Sequence, residues 1–320
     1  MKYLKLVLKV LVGFIVFLLL VFIIDYVRIN VSYSINKDKY IESFDVQGNT
    51  NHYIPQGIAY SSLYNVVLQT SYNKEHDVSM LYVTDYDSGK LLKSLKLIDI
   101  NDKNDNKHVG GITTDNKTVW ITNDYEVDEF SLEEIINTNS DYIKSLSNTK
   151  LPNRGDFCLY HDGTLFIGDF YLKPFYDVPD GNPLLMAYDV SNIDYSNPSY
   201  IISLPKMVQG MEIVGDKFIF SQSFTYLINS TLSVYNKPIE SSYYKLNGKD
   251  VPYYKFDKVY KKYKLPPMIE GIFYKDDYLY MLFESGSDGY SLALPKVKKI
   301  LKLKIDKWLS ILFVTHEIKS

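Results

Sequence analysis

The sequence predicts an all-β protein, a five-bladed β-propeller, with six blades as the alternative count if an insert hides a degenerate unit, preceded by one membrane-crossing helix. Three observations carry this. A short strand opened by a polar residue and a glycine recurs as Gln56-Gly57-Ile58, Gly110-Gly111-Ile112, Gln209-Gly210-Met211 and Glu270-Gly271-Ile272, with a weaker copy at Arg154-Gly155-Asp156-Phe157-Cys158. Each copy is followed by a turn and a second apolar strand that ends in polar residues: Ser71, Asn123 with Asp124, Asp169, Ser223, and Glu284 with Ser285. The copies recur at roughly 45 to 60 residues, the period of four-stranded blades in a ring.

The chain begins with Lys2, Lys5 and Lys9 and an apolar run that is uncharged from Val10 to Ile24. That length suits one bilayer crossing, and the lysine bias puts the N-terminus inside and the rest outside the cytoplasm. A cleaved signal peptide is the alternative, but no small-residue cleavage site follows the run. The expected organisation is an anchor over 1–29, a polar stalk over 30–38, a propeller over 39–306 and a tail over 307–320 packed on the propeller.

The strand Tyr40–Val46 precedes the first repeat and has no blade of its own. It is expected to supply the outer strand of blade five, which closes the ring and removes a free edge. Blade one is read as 57–59, 66–70, 80–85 and 91–98, with its last turn at Asp87-Ser88-Gly89-Lys90. Blade two takes 111–114, 119–122, 127–131 and a strand near Tyr142–Leu146, with a helical turn at Leu132–Ile136. Blade three takes 156–160, 165–168, 184–189 and 200–204. Blade four takes 210–214, 218–222, 231–235 and 253–260, lengthened by an insert at 236–250. Blade five takes 271–274, 279–283 and 300–306.

Hydrophobic residues make up 46% of the 320 and charged residues 23%, enough apolar material for a core. Thirty-five basic against 38 acidic side chains leave a net charge of −3, which argues against nucleic acid as a partner. Thirty tyrosines suit half-buried strand positions; aromatic platforms for a ligand are the other reading. The single cysteine, Cys158, sits in an apolar strand and reads as a buried, inert thiol. The loop Asn101–Asn106 is acidic and amide-rich but lacks the glycine and terminal glutamate of a calcium loop.

In a propeller the innermost strands begin, and the second strands end, on one face of the disc. The candidate ligand-binding residues are therefore Gln56, His108, Asp124, Arg154, Asp156, Asp169, Gln209, Ser223, Glu270 and Glu284. Three uses compete: an oxygen-rich Ca²⁺ site that includes Glu270, acid–base chemistry by His108 with Asp124 or Glu270, and non-catalytic binding of a ligand or protein. The glycines also have a purely structural reading, as positions near the axis too crowded for a side chain. No serine elbow, zinc helix or phosphate loop is present.

These repeats resemble bacterial extracytoplasmic propellers of the TolB-like and gluconolactonase-like groups over about residues 40–306. The Gln-Gly-Ile opening and the blade count are also similar to five-bladed glutaminyl cyclases. The resemblance implies an exported propeller. In the lactonase-like members a central Glu holds Ca²⁺, a part that falls to Glu270, which implies a hydrolase or cyclase as the alternative to a binding protein.

Overall fold

The computed structural model describes residues 2–36, 39–75, 77–178 and 181–305. Five β-sheets stand in a ring, and the innermost strand of each packs against those of its two neighbours around the circle. Blade one is built from Tyr53–Ser61, Val66–Asn73, Met80–Asp85 and Leu91–Ile98. Blade five is built from Ile269–Lys275, Tyr278–Phe283 and Lys299–Lys304, and its outer strand is the N-terminal Ile41–Asp45, paired antiparallel through Ile41 to Lys302 and Asp45 to Lys299. The ring thus closes at five, through the segment expected to close it.

The glycine repeat has a steric cause. A Cβ on Gly271 would stand 2.7 Å from the Ile58 backbone nitrogen, one on Gly57 2.8 Å from that of Ile112, and one on Gly210 3.1 Å from the Cα of Gly271. Each glycine is where one inner strand presses on the next, and backbone cannot yield as a side chain can. In blade three the equivalent position is Phe157, fully buried, and its ring occupies the space that a side chain at Gly168 would need. Hydroxyls on the second strands tie adjacent blades: Thr70 accepts from Gly57 N–H and donates to the Val109 carbonyl, and Ser221 donates to the Glu270 carbonyl at 2.7 Å. Bonds buried this deeply are costly to leave unmade.

Three outer elements depart from expectation. Tyr142–Lys144 pairs in parallel with Leu91–Ile98 at the edge of blade one, while Ser147–Lys150 completes blade two beside Glu126–Ser131. The insert after blade four's third strand forms a hairpin, Ile239–Leu246 with Lys249–Lys255, which joins blade three by parallel pairing of Ile201 to Tyr253. Val259–Leu265 is then the true outer strand of blade four. Parallel pairing between distant segments leaves no local sequence mark, unlike a hairpin. The helical turn is Leu132–Asn137, capped by the Ser131 hydroxyl, which accepts from Glu134 N–H.

The N-terminal helix runs Lys2–Asn36, and Tyr3–Val31 within it, with mean hydropathy 3.2, is long and apolar enough to cross a membrane. The polar segment assigned to a stalk is therefore helical as far as Asn36. Ile29 and Tyr33, four residues apart and so on one face of the helix, hold it to the protein: Ile29 is buried and Tyr33 packs on the core between blades four and five. The expected tail at 307–320 lies outside the described residues.

Candidate functional site

Inner-strand starts and second-strand ends meet around a cavity of about 470 Å³ at one end of the ring axis. Eight of the ten expected residues line it: Gln56, His108, Asp124, Arg154, Asp156, Gln209, Glu270 and Glu284. Asp169 and Ser223 do not. Asp169 is buried inside blade three, accepting from the Asn153 amide at 2.7 Å and from Leu184 N–H at 2.9 Å, and Ser223 is turned inward to accept from the Ser230 hydroxyl. Both are structural ties.

Glu270 and Glu284 form the floor. Glu270 is 2% exposed and Glu284 9%. Burial and the neighbouring Glu284 carboxyl raise the Glu270 pKa well above the usual carboxylate range, and Glu284 itself is pushed by burial up to about 7. The two are hydrogen-bonded, so one proton is held between them: Glu270 carries it and Glu284 accepts. The Gln56 amide approaches Glu284 Oε2 at 3.4 Å, and the Tyr290 hydroxyl donates to the same carboxylate while bonded in turn to Tyr72. Tyr290 is held there by its loop, where Lys74 bonds the Gly289 carbonyl at 2.8 Å and lies 4.7 Å over the Tyr290 ring.

On the opposite wall Arg154 grips Asp156 through Nε and Nη2 and reaches Asp124 at 2.9 Å. Asp156 is fixed further by Phe170 N–H at 2.6 Å. His108 faces the cavity with its ring 4.7 Å from that of Tyr72, and its surroundings lower its pKa, chiefly by desolvation, leaving it neutral at pH 7. The expected His108–Asp124 pair is not formed: Asp124 and Asp156 are both committed to Arg154, and among the described residues neither hydrogen-bonds His108. His52, just before the inner strand of blade one, points away from the cavity, towards Glu75.

The cavity is also aromatic, through residues that the sequence does not single out. Tyr72, Phe170, Tyr176, Phe224 and Tyr290 line it, and Phe175 stacks on Phe224 at the lip, 5.5 Å between ring centroids. Tyr72, Phe170 and Phe224 each stand one residue beyond the polar residue chosen at the end of a second strand. Successive strand residues face opposite sides, so in blades one and three a shift of one exchanges the site for the interior, whereas in blade four Ser223 holds the site's step but turns inward.

The donor set does not fit a calcium ion. Among the described residues no group of three or more His, Cys, Asp and Glu side chains is arranged to hold a metal. Glu270 spends its proton on Glu284, and the other carboxylates are engaged by Arg154. The acidic loop at 101–106 is a local turn, with Asp99 accepting from Asn101 and Lys103 N–H groups.

Comparison with solved structures finds matches at low identity. A glutaminyl cyclase from Myxococcus xanthus is 10% identical, with a TM-score of 0.48 over 83% of this chain and 97% of that one. Hydrazine synthase from Kuenenia stuttgartiensis is 10% identical at a TM-score of 0.39, and the WD40 domain of Toxoplasma gondii coronin 8% at 0.35. No protein-family model matches the chain, and no curated protein does.

Proposed function

We propose that the protein is a membrane-anchored, extracytoplasmic propeller whose cavity binds a ligand through a protonated amine. The observation that carries this is the buried Glu270–Glu284 pair, which among the described residues has no ion-pair partner; Lys74, whose charge Glu284 feels, is bound to the Gly289 carbonyl. The lining holds four carboxylates, Asp124, Asp156, Glu270 and Glu284, against two cations, and both cations are already held: Arg154 by two aspartates, Lys107 by Glu126 at 2.8 Å and Asp128 at 3.1 Å. An amine would replace the shared proton as the partner of the pair, with Tyr72 and Tyr290 lining the same cavity. The N-terminal apolar helix and the lysines before it support the anchored, outward-facing arrangement.

The test is calorimetric titration of the full chain in detergent with phenethylamine and, as control, phenylacetate. The amine should bind and release a proton to buffer, the acid should not bind, and Glu270→Gln should abolish the amine signal. Equal binding of the acid, or an unaffected Glu270→Gln variant, overturns the reading.

A second reading is cyclisation of amino-terminal glutamine, as in the glutaminyl cyclases the repeats resemble. It is favoured by one feature: a carboxyl pair holding a single proton can give it to a departing ammonia and regain one from the attacking amine. Loss of ammonia from a glutaminyl peptide, followed by mass spectrometry, decides it.

A further inference from the structure

The molecule has a second polar cleft, remote from the cavity, where the end of the N-terminal helix meets the outer edges of blades four and five. It encloses about 310 Å³ and includes Tyr33, Lys39, Tyr40, Asn229, Lys262 and Lys264 in its walls, with no carboxylate among its lining residues. Its strand, Val259–Leu265, alternates so that Lys262 and Lys264 are exposed on one side while Leu265 turns into the core. With its amide turned to satisfy both neighbours, Asn229 accepts from Lys264 Nζ at 3.1 Å, which holds that ammonium at the cleft. The Tyr40 hydroxyl donates to the Lys264 carbonyl at 3.0 Å and fixes the opposite wall. Among the described residues neither Lys262 nor Lys264 lies within ion-pair distance of a carboxylate.

Lysines on an edge strand deter sheet-to-sheet pairing, and that alone would explain Lys262. It does not explain why they share a cleft with two tyrosines and the helix end. The uncharged run stops at Ile24, and Tyr33 is nine residues further on, roughly 13 Å along the helix axis at a rise of about 1.5 Å per residue. With tilt, the cleft comes to the level of the headgroups, where tyrosine is favoured and lysine meets anionic lipid.

We propose that this cleft binds the phosphate of an anionic lipid headgroup and so fixes how the propeller sits on its membrane. The inference rests on the anchored arrangement proposed above, but not on the amine cavity. Lys262 and Lys264 supply the charge, Asn229 and the tyrosine hydroxyls the neutral hydrogen bonds.

The full chain, purified in detergent, would be offered equal amounts of phosphatidylglycerol and phosphatidylcholine and read by native mass spectrometry. Retention of phosphatidylglycerol should exceed that of phosphatidylcholine, and the Lys262→Gln/Lys264→Gln double variant should retain it on the order of tenfold less, with Lys245→Gln as control. Equal retention of the two lipids, or a double variant that behaves as the parent, overturns the proposal. So does displacement of the lipid by millimolar inorganic phosphate, which would mark a site for free phosphate. Carbonate extraction of membranes tests anchoring separately: a chain released by carbonate is not anchored, whatever its lipid preference in detergent. Both variants change exposed side chains, so a melting temperature matching the parent confirms that folding is intact.

Discussion

The Glu270 carboxyl hydrogen-bonds that of Glu284 on the cavity floor, the first arriving from the innermost strand of blade five and the second from the turn after its neighbour. Glu270 opens the innermost strand, and Glu284 follows the second. Glu284 is set by its N–H, which bonds the Met268 carbonyl at 3.0 Å, the same tie that joins Ser223 N–H to Met207 in blade four. The repeat delivers a backbone position; blade five fills both of its polar slots with acid.

The first prediction concerns pH. Burial moves Glu284 from its ordinary 4.5 up to about 7 in the fold. Below about pH 4.5 both folded and unfolded chains are protonated there, and the group contributes nothing to the pH slope. As pH rises towards 7 the unfolded chain releases its proton first, so stability falls across that window. Glu270 acts in the same sense. Glu284→Gln should therefore melt close to the parent at pH 4.5 and be more stable by about 1 to 3 kcal/mol at pH 8. A parent whose melting temperature is flat from pH 5 to 8 refutes the shared proton.

The second concerns closure. Ile41–Asp45 covers the edge of Lys299–Lys304, and next to it Val46 is 5% exposed and bonds the Lys298 carbonyl at 3.0 Å. Phe44 packs against Gly89, whose φ of +68° and contact with the Phe44 side chain both require glycine. Removing residues 41–46 bares the flank of Ile300 and Leu301 and opens a strand edge, a loss of several kcal/mol at about 1.5 to 3 per large apolar side chain. Thermal unfolding should begin well below that of the intact chain. An unchanged melting temperature would mean that the ring does not depend on this strand.

The legibility of the fold followed from its physics. Glycines crowded by the next blade's backbone recur because the axis leaves no room, so Gly57, Gly111, Gly210 and Gly271 announced the inner strands. Phe157 broke the phrase and made blade three the weak copy. The site was half legible. Gln56, Gln209 and Glu270 were found because they precede those glycines. Tyr72, Phe170 and Phe224 were missed because their neighbours Ser71, Asp169 and Ser223 looked more like a site, and because Tyr72 was one tyrosine among 30. Comparing the blades would have supplied the missing register in blades one and three, since Asp124 and Glu284 occupy the same step as Tyr72 and Phe170; in blade four that step is Ser223 itself.

The third prediction tests that crowding. Gly271→Ala places a Cβ 2.7 Å from backbone nitrogen and 3.2 Å from the Gln56 carbonyl oxygen, and should cost about 1 to 3 kcal/mol in chemical denaturation. Gly210→Ala meets its nearest neighbours only at 3.1 Å and should cost less. The order of the two, read from denaturation midpoints with unchanged slopes, is the decisive outcome. Equal costs would place the glycines' role in chain flexibility instead of contact.

The fourth prediction concerns Cys158. Its thiol is buried beneath the inner strand of blade three, with Sγ 3.8 Å from the Trp120 carbonyl, and desolvation pushes its pKa up to about 12. At pH 8 the thiolate that attacks disulfide reagents is therefore scarce as well as hidden. The native chain should react with a chromogenic aromatic disulfide far more slowly than after denaturation in guanidinium, and Cys158→Ala should bind amine ligands as the parent does. A fast native reaction would show that blade three opens often enough to admit the reagent. The rate of labelling would then measure that opening, because among the described residues no ionised neighbour activates the thiol.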